Sequence, residues 1–323
     1  MSPAKSSRIL VTGGAGFIGS HTCERLVARG DELVVLDNFN DFYDPALKRA
    51  NAALLGGARV VEGDIRDRAL VSKLFAEGEF DAVVHLAAMA GVRPSVQDPL
   101  LYEDVNVRGT LVLLEELRRR PRTRFVFASS SSVYGARDKM PFGEQDDIPH
   151  PVSPYAATKR AGELVSYTYH HLFGLPVSCL RFFTVYGPRQ RPEMAIAKFT
   201  RAIDRGEPIP FFGDGSTRRD YTYVDDIVDG VVAAIDRCAG YEIYNLGENA
   251  TTTLSELVEQ LGRALGRAPI LDRQPLQPGD VPLTCADVTK ARSKLGYSPR
   301  TPVAEGLRRY VAWYREFAVS RTR

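Results

Sequence analysis

The sequence predicts an α/β fold: a doubly wound parallel sheet covered by helices on both faces, followed by a smaller C-terminal α/β unit. Three observations carry that expectation. Apolar runs of strand length alternate with segments of helical period from the start of the chain, a glycine-rich turn joins the first strand to the first helix, and the character of the chain changes after Gly187.

The strand runs fall at 9–12, 33–36, 59–61, 82–86, 125–128 and 177–182. They are nearly continuous in Val, Ile, Leu and Phe, the pattern of strands buried on both faces, which parallel sheets require. Beyond Gly187, Pro188, Pro192, Pro208 and Pro210 crowd together among shorter, mixed elements. This divides the chain into 1–184 and 185–323, except that 221–247 reads as strand, helix and strand able to rejoin the first sheet. Long helical patterns at 96–119 and 153–173 complete the outline.

Composition excludes several classes. The 323 residues are 44% hydrophobic, enough for a large core, and 42 Lys+Arg against 40 Asp+Glu leave a net charge of +2. No global field marks a nucleic-acid or membrane-surface binder. The arginines between 118 and 124 sit at a helix end, where cations suit the dipole. Four cysteines, Cys23, Cys179, Cys238 and Cys285, are too widely spaced to suggest a metal site or disulfide framework, so no metal and a reducing compartment are expected. The polar N-terminus and the lack of any long apolar run predict a soluble, cytoplasmic protein with no membrane partner.

Gly13-Gly-Ala-Gly16-Phe17-Ile18-Gly19 follows the first strand and opens the first helix, the context of a dinucleotide fingerprint. Gly13 permits the turn, Gly16 lets a pyrophosphate approach the backbone, and Gly19 lets the helix press on the sheet, while free N–H groups meet the anion. Asp37, with Asn38 beside it, ends the second strand 18 residues beyond Gly19. Its carboxylate can hydrogen-bond an adenosine ribose and would repel a 2′-phosphate, which favours NAD over NADP. Asp64 and Ile65 are placed to meet an adenine ring, and Leu86, Ala87 and Ala88 to line the cofactor's wall. His85, within that apolar run, reads as a core histidine.

Tyr155-Ala-Ala-Thr-Lys159 begins a helix after Pro154. Four residues apart, the two side chains share a face, so the ammonium is expected to lower the phenol's pKa and make it a usable base. A run of serines, "FASSSSVYG", lies at a strand's carboxyl end 25 residues upstream, counted from Ser130 to Tyr155.

Together these motifs resemble the extended short-chain dehydrogenase/reductase family, and within it the NAD-dependent nucleotide-sugar epimerases with their Rossmann domain. The resemblance covers nearly the whole chain. It assigns Gly13, Gly16, Gly19 and Asp37 to NAD, Tyr155 and Lys159 to the acid/base pair, with Lys159 also on the nicotinamide ribose, and Ser130 to the hydroxyl beside Tyr155. Asn106 matches a helix asparagine that supports the cofactor side and proton relay.

In the family's dehydratases the serine stretch reads Thr-Asp-Glu-Val-Tyr-Gly, and in uronate decarboxylases Thr-Ser-Glu-Val-Tyr-Gly. Here Ser131 and Ser132 replace the acidic positions. A serine of ordinary pKa can neither protonate a leaving hydroxyl nor abstract a carbon-bound proton, so dehydration is disfavoured. Hydroxyls instead suit a substrate carboxylate, which they can hydrogen-bond without repelling. "AAMAGVRPS", "SSSSVYG", "SPYAATKRAGE" and "RFFTVYGPRQRP" together resemble the UDP-glucuronate 4-epimerase branch, with Thr184, Arg191 and Arg93 as further carboxylate donors. The resemblance places Arg219 on the diphosphate, Phe211 along the uracil and Asp280 on the nucleotide's ribose, although Gln277 stands where galactose epimerases have arginine. It implies interconversion of UDP-glucuronate and UDP-galacturonate through a 4-keto sugar, and a homodimer formed by the two long helical patterns. UDP-glucose/UDP-galactose epimerisation and UDP-glucuronate decarboxylation remain the alternatives.

Overall fold

The computed structural model describes residues 6–137, 139–275 and 283–321. Strand and helix alternate through β1 (Arg8–Thr12), α1 (Phe17–Arg29), β2 (Glu32–Asp37), α2 (Pro45–Ala53), β3 (Arg59–Glu62), α3 (Arg68–Ala76) and β4 (Ala82–His85). Helices α4 (Val92–Gln97), α5 (Pro99–Glu103), a π-helical turn (Asp104–Arg108) and α6 (Gly109–Leu117) lead to β5 (Arg124–Ser130). A 3₁₀ turn (Ser131–Tyr134), α7 (Pro154–Phe173) and β6 (Val177–Phe182) follow. The remainder comprises β7 (Thr184–Tyr186), α8 (Ala195–Arg205), β8 (Pro208–Phe212), β9 (Arg218–Arg219), β10 (Tyr221–Tyr223), α9 (Val224–Asp236), β11 (Tyr241–Leu246), β12 (Thr252–Thr253), α10 (Leu254–Leu265), β13 (Ile270–Gln274), α11 (Thr289–Leu295) and α12 (Val303–Arg321).

Seven strands pair in the order β11-β6-β5-β4-β1-β2-β3, all parallel. Each apolar run from the sequence becomes one of them, and the central strands are covered on both faces: β4 and β6 are buried at all their residues, with His85, Ser178 and Arg181 as the polar exceptions. Ile9 sits across from Leu33 on one side and Ala82 on the other, which fixes β1 at the centre of the order reversal. Within 221–247 only β11 enters this sheet; β10 pairs with β7 instead.

The long helical pattern at 96–119 is broken in the structure. Asp98 ends α4 in a non-helical conformation and caps α5 by accepting from Leu101 N, with Pro99 in the first turn where its missing N–H costs nothing. The π-helical turn then shifts the register before α6. By contrast, the pattern at 153–173 forms a single helix, started by Ser153 Oγ accepting from Ala156 N at 3.1 Å and ended by Gly174 in the left-handed region. Among the described residues no helix is long and apolar enough to cross a membrane.

Candidate functional site

The carboxyl ends of the strands open into a cavity of about 890 Å³ at the reversal between β1 and β4, the crevice where open α/β sheets take ligands. Its wall includes Gly13, Gly16, Phe17, Ile18 and Gly19 after β1, Asp37 and Asn38 after β2, Asp64 and Ile65 after β3, and Leu86, Ala87 and Ala88 after β4. Gly13 has φ +70°, and a Cβ there would lie 2.6 Å from Ala87 N; at Gly19 it would lie 2.1 Å from Gly13 O. Backbone therefore passes where any other residue would have a side chain. Gly16 caps α1 without a side-chain acceptor, so the first-turn N–H groups stay available beside the cavity.

Asp37 is buried, with Oδ2 accepting from Ala15 N at 3.1 Å and Oδ1 from Phe39 N at 2.9 Å. Burial pushes its carboxyl up, opposed by those N–H groups and the Lys48 charge. Each oxygen keeps acceptor capacity for a diol. Asp64 is held down to about 2 by hydrogen bonds from Arg66, against its partial burial, and Asn38 Nδ2 donates to it at 3.0 Å. Glycine cradle, helix terminus and ribose acceptor together fit a dinucleotide.

Tyr155, Lys159 and Ser130 meet on the same cavity. The Ser130 hydroxyl lies beside the Tyr155 phenol and favours its ionised form, and Ser130 Oγ accepts from Ser132 N at 3.2 Å. Tyr102 stands edge-on to the Tyr155 ring, centroids 6.2 Å apart, and its own hydroxyl donates to Ala90 O. The expected lowering of the phenol by Lys159 is not what this geometry gives. Burial pushes Tyr155 up, and the opposing influences come from Ser130 and the Arg191 charge. Lys159 is itself pulled down to about 7 by burial, against Glu163, and its Nζ donates to Ala128 O at 2.7 Å. Helical spacing set the shared face, whereas the carbonyl at the end of β5 claimed the ammonium.

Ser131, Ser132, Thr184, Arg93, Arg191 and Arg219 also line the cavity. Ser132 Oγ is buried and makes no hydrogen bond among the described residues. Arg191 Nε pairs with Glu193 Oε1 at 3.1 Å. Arg219 is half-buried while Arg218 beside it is exposed. Asp220, fully buried behind them, accepts from the N–H groups of Ala286, Glu248 and Asn249 at 2.7–3.1 Å and so ties two loops to this arginine.

Two expected site residues are not on the cavity wall. Phe211 points into the core because alternation along β8 turns it inward, and Arg273 lies over its ring at 5.2 Å. Asn106 is buried behind the wall; its side chain exchanges hydrogen bonds with the backbone of Met89 at 2.8 and 3.0 Å and donates to Thr158 Oγ1 at 3.0 Å. It positions the loop after β4 and the start of α7 rather than a ligand. Asp280 and Gln277 lie outside the described residues. His85 is a core histidine, fully buried, its ring nitrogens 2.7 Å from Thr12 Oγ1 and 3.0 Å from Thr110 Oγ1.

Sequence reasoning missed Asn40, Phe42, Tyr43, Lys48 and Lys198, all on the wall. Lys48 is buried on α2 and donates to Asn40 O at 2.8 Å and Oδ1 at 2.6 Å. No periodicity marks it, since only the contact of Asn40 with α2 brings it to the wall.

Fold and glycine cradle together define a dinucleotide-dependent protein, with Tyr155, Lys159 and Ser130 gathered on the wall of the same cavity. A family model described as GDP-mannose 4,6 dehydratase matches residues 10–310. UDP-glucuronate 4-epimerase 4 of Arabidopsis thaliana is 45% identical over 327 residues, covering 95% of this chain and 75% of that protein. Among solved structures, UDP-glucuronic acid 4-epimerase from Bacillus cereus, in complex with UDP-glucuronic acid and NAD, is 35% identical with a TM-score of 0.90, covering 96% of this chain and 99% of that one. A Thermotoga maritima UDP-glucose 4-epimerase with UDP-glucose is 36% identical at TM-score 0.88, with 96% and 99% covered. The chain belongs to the extended short-chain dehydrogenase/reductase family, close to its UDP-glucuronate 4-epimerases.

Proposed function

We propose that this protein is an NAD-dependent UDP-glucuronate 4-epimerase, interconverting UDP-glucuronate and UDP-galacturonate. One observation carries the substrate: beside Tyr155 the wall offers the hydroxyls of Ser130, Ser131, Ser132 and Thr184 with the Arg191 cation, and the unpartnered Ser132 Oγ is the donor a carboxylate would take. Among the described residues the acids on the wall are Asp37, at the end of β2, Asp64, after β3, and Glu193, already paired with Arg191.

Gly13, Gly16, Phe17, Ile18, Gly19, Asp37, Asn38, Asp64, Ile65 and Leu86–Ala88 would hold NAD, which when bound accepts a hydride from C4 of the sugar and gives it back. Tyr155 takes the proton of the C4 hydroxyl and later returns it. Ser130, beside the phenol oxygen, and the Arg191 charge favour the phenolate. Arg219 and Arg93 serve the diphosphate and the carboxylate. In this reading 1–184 with 221–247 carry the cofactor, and the rest of 185–323 carries the UDP-sugar.

The same reading takes the protein as a cytoplasmic homodimer. Val96, Leu100, Leu164, Tyr167 and Leu172 expose 50–79% of their surface on α4, α5 and α7, an apolar face suited to a second copy, and the buried free thiols suit a reducing compartment.

Incubating the purified protein with UDP-glucuronate and no added NAD should yield UDP-galacturonate without carbon dioxide. Release of carbon dioxide with a UDP-pentose, or equal turnover of UDP-galactose, would overturn the substrate assignment. Light scattering on the same sample should give twice the chain mass, and fractionation of the source cells should place the protein in the cytosol.

A further inference from the structure

Behind the hydroxyl wall lies a fully buried ion pair. Glu163 on α7 and Arg181 on β6 have side chains 0% and 1% exposed. Arg181 donates to both carboxylate oxygens, Nε at 2.8 Å and Nη2 at 2.9 Å. Removing two charges from water is expensive, and apolar replacements of such pairs are often as stable. Stability alone is therefore a weak reason for this one.

The pair also reaches the two ends of one short segment. Ser129, immediately before Ser130, turns its Oγ away to donate to Glu163 Oε1 at 2.7 Å. Arg181 Nη1 donates to the hydroxyl of Tyr134, two residues beyond Ser132, at 3.0 Å, and the guanidinium carbon also lies 4.8 Å from the centroid of that ring. Tyr134 donates onward to Asn245 Oδ1 at 2.7 Å, and Asn245 Nδ2 donates to Phe142 O and Asp287 O at 2.8 and 3.1 Å. Arg160 Nη1 donates to Glu163 Oε2 at 2.8 Å. Ser130, Ser131 and Ser132 thus span two posts set in the same ion pair, and strand, helix and turn cannot shift independently of it.

We propose that Ser129, Tyr134 and the Glu163–Arg181 pair are positioning residues for Ser130–Ser132, and that they decide whether an oxidised uronate keeps its carboxylate. The inference rests on the UDP-glucuronate reading. In the 4-keto uronate, scission of C5–C6 sends the bonding pair toward the C4 carbonyl as an enolate and releases carbon dioxide. C5 then takes a proton from solvent, and the hydride removed from C4 returns to give a UDP-pentose. Scission requires the C5–C6 bond to align with the carbonyl π system, so a carboxylate held out of that alignment survives. A wall loosened by a fraction of an ångström loses this control.

Glu163→Gln leaves Arg181 buried with a weakened partner and threatens the fold, so the decisive variants are Ser129→Ala and Tyr134→Phe. Each deletes one hydroxyl and keeps the ion pair. Full-length variants, with melting temperature and bound NAD measured, are incubated with UDP-glucuronate while amide hydrogen exchange is followed at 130–135 without substrate. The ratio of UDP-pentose to UDP-galacturonate should rise by about tenfold, the scale of a small misplacement of reacting groups, with NAD content unchanged and exchange faster. A ratio within about twofold of the unmodified protein, less than 0.5 kcal/mol in barrier, overturns the proposal whatever the exchange shows. Should the unmodified protein leave UDP-glucuronate untouched, the substrate reading falls, and unchanged exchange in both variants would then overturn the anchoring as well.

Discussion

Around the β1–α1 turn the cavity wall is made of backbone, with Gly13 and Gly19 admitting no side chain and α1 presenting uncapped N–H groups; around the end of β5 it is made of side chains, hydroxyls and arginines from β5, β7, β9 and the loop before α8. Buried polar groups support each region, but differently. Behind the first, Thr12, His85 and Thr110 form a neutral chain. Behind the second, Glu163 and Arg181 form a charged one. A backbone wall suits a constant ligand, because it recognises shape and phosphate charge. A side-chain wall can be rewritten residue by residue and so suits the variable half of the substrate.

That contrast can be broken most severely at Gly19. In Gly19→Ala the new methyl would fall 2.1 Å from Gly13 O, a backbone atom with no room to yield. The purified variant is expected to lack bound NAD by absorbance and to lose activity toward every UDP-sugar alike. Retention of stoichiometric NAD would show that the turn is not the cradle.

On the other wall the expected loss is selective. Ser132→Glu puts a carboxylate near the one expected on the substrate, costing about 1 to 4 kcal/mol between the dielectric of water and that of a protein surface, or roughly fivefold to several hundredfold in kcat/KM for UDP-glucuronate. UDP-glucose turnover should fall less. Equal losses for both sugars would mean that the serines do not read the acid.

The smallest effect concerns the neutral chain. Burial, with the Lys159 charge adding, holds the His85 imidazole down to about 3, whereas it titrates near 6.5 when unfolded. Between those values the unfolded chain binds a proton that the folded chain refuses. The contribution is therefore complete above the unfolded value and is lost as pH falls through the window. His85→Gln should melt slightly lower at neutral pH but show a shallower fall in melting temperature on acidification. An identical acid slope would remove His85 from this role.

Legibility followed the same division. The strands were readable because parallel strands buried on both faces are predominantly apolar, and the cofactor wall because glycine is demanded where backbone passes close. The substrate wall was readable only in part. Ser130–Ser132, Thr184 and Arg219 are on the cavity, but Phe211 is not, since the side chain's direction depends on how β8 pairs with β13. Lys48 was invisible because its burial depends on Asn40 folding back over it. The helical pattern at 96–119 read as continuous, although Asp98 and the π-helical turn interrupt it.

By itself the sequence determined the alternation of strands and helices, the glycine turn and the shared helical face of Tyr155 and Lys159, all properties of local spacing and steric limits. Only the tertiary structure decided that the Lys159 ammonium meets the Ala128 carbonyl, that Asn106 supports the wall from behind, and that one ion pair anchors both ends of the serine segment. The physical reason is that a hydrogen bond or a desolvated charge depends on which distant groups arrive within about 3 Å, and spacing along one strand or helix does not contain that distance.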